Sequence, residues 1–352
     1  MMMTPEKANS KSPPDWPTLL GDNARTGGHA QVRFHSPEKA VWQYRTGSPV
    51  RSAPVFHDSV LYAASVNGVL HAINVATGTS KWKFEAAGQV HSTPSLFGNT
   101  VLLGCDDGKV YAVDGNSGKK LWEAGSQAEV WSSPVVRNEI VFFGSADGKV
   151  YAVDGKNGQP TWSQELGGRI YCTIYAEEHQ LYVGCGDGKV YSIETDSGKI
   201  LWSTATGNGI DSSPAVVDNL VLIGSEDFVF YALDASNGEV RWKYETGLGI
   251  ASSPAVSGDF AVIGSKDGFL YAFEVQTGHL RWKTAVGEVV TASPVIGGGV
   301  VCIQAGGTFA LDMGSGKIVW QAGLGGAIQS VPILAADSIY LASLSGEIYA
   351  LR

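Results

Sequence analysis

The 352-residue chain contains 25 Lys and Arg residues against 34 Asp and Glu residues, a formal net charge of −9 at pH 7. This acidic balance argues against nucleic acid as a partner, because phosphate binding requires a basic surface, and it disfavours anionic membranes. No apolar run is long enough for a transmembrane helix, and the hydrophobic share of 44% is ordinary for a globular protein.

The sequence predicts no folded element in the first 14 residues and no secretory signal at the N-terminus. Residues 1–14 are mostly polar and contain prolines, so we predict a disordered tail. The absence of an apolar signal core and of a lipidation cysteine favours a cytoplasmic location if this start is native, and leaves the location open if the chain was trimmed. Residues 15–35, which begin Asp15-Trp16-Pro17, are expected to pack on the domain that follows.

One motif, Ala-x-Asp/Glu-x-x-x-Gly-x-x-x-Trp, recurs along the rest of the chain. In its fifth copy, turn residues separate four short runs rich in β-branched and aromatic residues: 210–216, 220–225, 229–234 and 240–244. Each copy is therefore predicted to form four antiparallel strands. The closing tryptophans are spaced by 40 residues six times and then by 38, and are Trp42, Trp82, Trp122, Trp162, Trp202, Trp242, Trp282 and Trp320.

Four-stranded units repeated every 40 residues are typical of a β-propeller. Ser-Ser-Pro or a variant of it starts eight innermost strands, from residues 52–54 to residues 330–332. The last copy ends after its third strand, whereas the strand around Trp42 has no copy before it. We therefore predict an all-β, eight-bladed propeller in which this N-terminal strand completes the C-terminal blade and closes the ring. Residues 15–352 are predicted to be one domain, and the protein to be a monomer.

The polar residues of the repeat have structural explanations. Serine and alanine of the innermost strands fit the narrow centre of the ring, and each tryptophan is expected to cover a neighbouring blade. Turns such as Asp147-Gly148 lie on separate blades, whereas calcium needs six to eight converging oxygens. The seven histidines show no metal-binding spacing, and no Ser/His/Asp arrangement is indicated. The four cysteines form no CxxC or adjacent pair and are expected to be buried outside disulfides. The sequence thus predicts no catalytic and no metal-binding residues.

The tryptophan motif resembles that of the pyrroloquinoline quinone (PQQ) repeat family. The strongest matches end at Trp122 and Trp320, and the segment Gly21-Asp22-Asn23-Ala24-Arg25-Thr26-Gly27 also resembles the N-terminal signature of this group. The family comprises eight-bladed quinoprotein dehydrogenases and a non-catalytic, BamB-like branch. The resemblance implies an extracytoplasmic or periplasmic location if the chain was trimmed. It also implies an adjacent cysteine pair and long insertions in the enzymes, neither of which this sequence contains.

One column of the repeat varies from blade to blade while the others are fairly uniform. It precedes each Ser-Ser-Pro, so it is expected at one mouth of the central channel, where loops on a rigid scaffold commonly bind ligands. Glu129, Arg169 and Glu288 would form its rim. Free drift of channel-lining residues explains the variation equally well. In blade order the column, called the mouth column below, is Arg51, His91, Trp131, Tyr171, Asp211, Ala251, Thr291 and Gln329.

The sequence therefore favours a non-catalytic scaffold that binds a protein or peptide partner through the mouth column, with the aromatic residues as anchors. Recognition of a small polar ligand or a sugar at the same mouth is a further hypothesis. The alternative of another class is a PQQ-dependent dehydrogenase that oxidises an alcohol or sugar, and PQQ with calcium is expected as cofactor only in that case.

Overall fold

The computed structural model describes residues 28–29, 40–322, 330–335 and 338–352, and every regular element in them is a β-strand. Thirty-two strands form eight four-stranded antiparallel sheets, one for each blade. The prediction of an all-β, eight-bladed propeller is confirmed. No helix that could cross a membrane occurs in these residues.

The four strands of a blade run from the channel to the circumference. The innermost strands are Val55–His57, Ser95–Phe97, Val135–Arg137, Tyr175–Ala176, Ala215–Val217, Ala255–Ser257, Val295–Gly297 and Ile333–Ala335. The second strands are Val60–Ala64, Thr100–Gly104, Ile140–Gly144, Gln180–Gly184, Leu220–Gly224, Phe260–Gly264, Val300–Gln304 and Ser338–Ala342. The third strands are Val69–Asn74, Lys109–Asp114, Lys149–Asp154, Lys189–Glu194, Val229–Asp234, Phe269–Glu274, Thr308–Asp312 and Glu347–Leu351. The outermost strands are Ser80–Glu85, Lys120–Gly125, Pro160–Glu165, Ile200–Ala205, Val240–Glu245, Leu280–Ala285, Ile318–Ala322 and Ala40–Arg45.

The ring is closed by the N-terminal strand. Ala40–Arg45 pairs antiparallel with Glu347–Leu351, and Trp42 lies opposite Ala350. This arrangement confirms the predicted closure and covers the edge that the C-terminal blade would otherwise expose. A further short strand, Gly28–His29, pairs in parallel with the innermost strand of blade 7.

The start of the innermost strand differs from the prediction. The fifth copy was expected to pair from residue 210, but its strand begins only at Ala215, after Ser-Ser-Pro. Pro214 has no N–H to donate, and the N–H of Ser213 points sideways to Ser253 Oγ of the next blade at 3.0 Å. Equivalent bonds, 2.9 to 3.2 Å long, join Ala53 to Thr93, Thr93 to Ser133, Thr173 to Ser213 and Ser253 to Ser293. The second residue of Ser-Ser-Pro thus hydrogen-bonds one blade to the next. The prediction from the sequence explains it only by the narrow space at the centre of the ring.

Adjacent blades are held together by the repeat tryptophans. Trp82 of blade 1 donates its indole N–H to the carbonyl of Gly115 in blade 2 at 2.9 Å, and its ring lies against Gly118. Between the tryptophans and the channel, the second and third strands are buried on both faces, as Val101 and Leu102 show. Equivalent indole bonds of 2.7 to 3.0 Å are made by Trp42, Trp122, Trp162, Trp202, Trp242 and Trp282.

The two ends of the propeller carry different connections. The turns between second and third strands contact the loops that connect one blade to the next, as shown by the 2.9 Å bond from Asp106 N to Gln89 O. The tryptophan-binding turns between third and outermost strands lie at the other end, beside the hairpins that join first and second strands, and Gly115 N donates there to Asn99 O. The mouth column belongs to the first of these ends, called the mouth face below.

Candidate binding face at the channel mouth

Buried aliphatic residues orient the mouth column. A fully or almost fully buried Val or Ile precedes each described member, for example Val130 before Trp131, and serves as its anchor in the blade. Arg51, Trp131 and Thr291 are exposed, whereas His91, Tyr171, Asp211 and Ala251 are half-buried. The prediction for Gln329 lies outside the described residues.

Three members of the column form a continuous row of ring contacts, the aromatic ladder, across blades 2, 3 and 4. The Trp131 and Tyr171 rings are stacked, with centroids 4.5 Å apart and planes inclined by 24°, and the His91 ring lies 4.9 Å from Trp131 with its plane tilted by 45°. The Arg169 guanidinium covers the Tyr171 ring at 5.1 Å. Such stacking adds about 0.5–1.5 kcal/mol per aromatic pair beyond burial and holds the rings in place before any ligand arrives.

Asp106 fixes one end of the ladder. Its Oδ1 accepts a 2.8 Å hydrogen bond from Trp131 Nε1, and its Oδ2 lies 3.6 Å from His91 Nε2. Burial lowers the pKa of His91, while the Asp106 charge opposes this shift and the Arg51 charge adds to it. His91 Nε2 also lies 3.3 Å from Gln89 Oε1. The histidine therefore favours its neutral form near pH 7.

The next two blades carry charged side chains at the same end. Burial raises the pKa of Asp211; the Arg169 charge opposes the shift, Glu226 adds to it and Lys266 opposes it. Lys266 Nζ contacts Glu226 Oε1 at 2.7 Å and joins blades 5 and 6. Arg169 thus interacts both with the Tyr171 ring of the ladder and with the Asp211 carboxyl group. Ala251 and Thr291 lie in blades 6 and 7, away from the ladder.

Exposed apolar residues complete the mouth face. Trp131 is 38% exposed, and Phe228, Leu248 and Val289 are 41%, 45% and 56% exposed. The backbones of Phe228 and Leu248 come close at Thr246, whose hydroxyl oxygen lies 2.8 Å and 2.7 Å from their carbonyl oxygens. Phe228 has φ of +76° at a turn position where other blades have Gly108, Gly148, Gly188 and Gly268. A non-glycine residue in this conformation costs about 1–2 kcal/mol.

Sequence reasoning missed Asp106, Glu226 and Lys266, and also the exposed Phe228, Leu248 and Val289. A signal for the charged ones was available, because a second column at the turns after the second strands also varies. In blade order it reads Val66, Asp106, Ala146, Gly186, Glu226 and Lys266. The sequence alone does not show that this column lies near the mouth column, because that depends on which turns lie at the same end of the propeller.

The residues at the mouth face do not fit calcium or PQQ. No three His, Cys, Asp or Glu side chains converge within the described residues to hold a metal ion. The mouth column, its rim and the second varying column carry three cations, Arg51, Arg169 and Lys266, and Lys266 is already paired with Glu226. Against them stand five acidic residues, Asp106, Glu129, Asp211, Glu226 and Glu288, a balance that does not fit a tricarboxylate. The turn aspartates accept hydrogen bonds from tyrosines of their own blades, at Asp107, Asp147, Asp187, Asp227 and Asp267.

The cysteines do not supply quinoprotein chemistry either. All four are buried and form no disulfide with one another. Burial raises the pKa of Cys105 to about 12 and that of Cys185 to about 11, so these thiols stay protonated near neutral pH.

The repeats and the ring they form define an eight-bladed propeller of the PQQ-repeat class. The chain belongs to the PQQ_2 family, described as outer membrane protein assembly factor BamB, whose profile matches residues 28–173 and again 167–352. No curated protein matches the chain.

Solved structures share the fold at low sequence identity. BamB from Moraxella catarrhalis is 20% identical, with a TM-score of 0.79 over 89% of this chain and 99% of that one. The quinohemoprotein alcohol dehydrogenase from Comamonas testosteroni is 16% identical, with a TM-score of 0.82 over 98% of this chain and 81% of the enzyme. The computationally designed protein Ika8 is 18% identical, with a TM-score of 0.79 over 91% of this chain and 99% of the design.

Proposed function

We propose that this protein is a non-catalytic scaffold that binds a protein partner at the mouth face. The observation that carries the proposal is the aromatic ladder, which presents a partly exposed Trp131 between His91 and Tyr171. Pre-stacked aromatic rings lose little conformational entropy on binding, and tryptophan and tyrosine are over-represented among the residues that dominate interface energies.

The extent of the mouth face favours a macromolecule over a single small molecule. Exposed apolar side chains are spread from blade 3, at Trp131, to the loop entering blade 7, at Val289. Exposed apolar patches rimmed by polar groups are typical of protein interaction sites. The strained backbone of Phe228 keeps an apolar ring on this face at a cost to stability, which is consistent with selection for binding.

The family description supports the same proposal. An assembly factor acts through partners, and this description also supports a location outside the cytoplasm. Both inferences come from the family, whereas the choice of the mouth face comes from the geometry of this chain.

Site-specific photo-crosslinking tests the proposed face. Benzoylphenylalanine placed at Leu248 or Val289 should form an adduct with one partner protein in cells that express the chain. Leu201 and Val319 are matched controls, because they have the same side chains and comparable exposure but lie on outermost strands. Trp131→Ala should suppress the adduct at Leu248. The proposal fails if no adduct forms, if the outermost strands give the same adduct, or if Trp131→Ala leaves it unchanged.

The dehydrogenase alternative is tested separately by titrating the protein with PQQ and calcium and following quinone absorbance, then dye reduction with alcohols. Stoichiometric binding with turnover would replace the scaffold proposal. If a small polar ligand competes with the partner for the aromatic ladder, the protein is a scaffold that also recognises small ligands at the channel mouth.

A further inference from the structure

At the circumference, the slot between adjacent blades is filled by a pair of aromatic rings at three places in the described part of the ring of blades, and at two of them the facing residue is a tyrosine. One partner stands two residues after the repeat tryptophan, and the other stands in the third strand of the next blade. Phe84 lies 5.5 Å from Tyr111 and Tyr244 lies 5.8 Å from Tyr271, centroid to centroid. The tyrosines covered in this way are buried, with exposures of 4% and 1%.

The slot between blades 2 and 3 lacks the first partner. Ala124 stands where blades 1 and 5 have an aromatic ring, and the facing Tyr151 is half-buried. A larger polar side chain, Gln164 or Thr204, is enough to keep the corresponding Tyr191 or Tyr231 buried. The missing side chain therefore accounts for the exposure of Tyr151.

The space left by Ala124 is a pocket of about 420 Å³. Its apolar lining residues are Trp162, Tyr151, Val153, Ala124 and Pro160, and its polar ones are Glu123, Gln159 and Ser163. The Tyr151 hydroxyl is already bonded to Asp147 at 2.7 Å, and the residue forms part of the pocket wall. The volume falls within the range of small-ligand sites, about 300–1,000 Å³.

We propose that this pocket binds a neutral, monocyclic aromatic compound whose ring takes the position occupied by Phe84 and Tyr244 in the sister slots. The repeat itself is the precedent, because the same backbone frame holds an aromatic ring against the next blade at those two places. A pocket lined mainly by apolar side chains favours an apolar ring over water, and the polar side chains of this one can meet a ring substituent. The volume exceeds that of one ring, so a substituted phenol is accommodated.

The probe is 4-fluorophenol, followed by ¹⁹F NMR titration of the full chain. The ¹⁹F signal of the probe should show saturable binding at one site of the wild-type protein, and ¹H NMR should show shifts in the side-chain signals of Trp162 and Tyr151. Ala124→Phe should abolish this binding, because the chain then fills its own slot. Phe84→Ala should open an equivalent slot between blades 1 and 2 and double the number of bound probe molecules.

One control variant and one independent test variant make each outcome decisive. Trp131→Ala, on the mouth face, should leave the binding of 4-fluorophenol unchanged, which separates this pocket from the proposed partner-binding face. If Ala124→Phe does not fold, the Phe84→Ala arm still measures whether loss of a slot ring creates a site. The proposal is overturned if the wild type shows no saturable binding, if folded Ala124→Phe binds the probe as the wild type does, or if Phe84→Ala gains no site.

Discussion

His71 occupies a position that is tyrosine in blades 2 to 6. It is buried between Tyr44 and Ser65, whose hydroxyl oxygens lie 3.1 Å from Nδ1 and Nε2 respectively. Burial, helped by the Lys83 charge, lowers its pKa from 6.5 to about 4. The folded protein therefore holds this imidazole in its neutral form at neutral pH.

Stability is predicted to fall on acidification because of His71. The unfolded state binds a proton near pH 6.5 and the folded state only near pH 4, so the contribution is complete above pH 6.5 and is lost between these values. The loss is at most about 3 kcal/mol. Urea unfolding at several pH values should show that His71→Tyr flattens this decline. An equal decline in the variant would assign it to other groups.

At the scale of the element, the inter-blade contact depends on a glycine. Gly118 has φ of +70°, and a Cβ at this residue would stand 2.7 Å from Cε3 of Trp82. Gly98 has φ of +56°, but no atom would lie within 4 Å of its Cβ. Comparing alanine substitutions at these two glycines therefore distinguishes the cost of backbone strain from the cost of displacing the Trp82 indole.

Gly118→Ala is predicted to destabilise the protein by about 3 kcal/mol and Gly98→Ala by about 1 kcal/mol, since both strain the backbone but only the first displaces a docked tryptophan. The measurement is chemical denaturation followed by circular dichroism and tryptophan fluorescence. Equal losses would mean that the Trp82 contact adds nothing to blade cohesion.

Among the strands, some are predicted correctly by the sequence and others are not. The 40-residue period predicts the second and third strands well, because their runs are buried on both faces and bounded by turns. The prediction of the first strand is wrong at Ser213, where the backbone N–H bonds to the next blade. Local residue propensities do not reveal a contact between blades. The mouth column is visible as variation, but the link from Trp131 to Asp106 is not, because the two residues lie 25 positions apart in different blades.

At the scale of the whole molecule, closure turns eight similar units into a surface with two different ends. The strand around Trp42 joins the last blade to the first, and Trp42 Nε1 bonds Val75 O of blade 1 at 2.7 Å. A closed ring keeps neighbouring mouth residues at fixed separations, so His91, Trp131 and Tyr171 can stack although each comes from a different blade.

The most direct test of the proposed binding face is the affinity of the crosslinked partner, measured by calorimetry with the purified proteins. Trp131→Ala and Tyr171→Ala should each weaken binding by about 2 kcal/mol or more, roughly 30-fold, while Leu201→Ala on an outermost strand leaves it unchanged. All variants should keep the wild-type melting temperature within a few degrees. Unchanged affinity in the two ladder variants, with the fold intact, would contradict the assignment of the mouth face as the binding site.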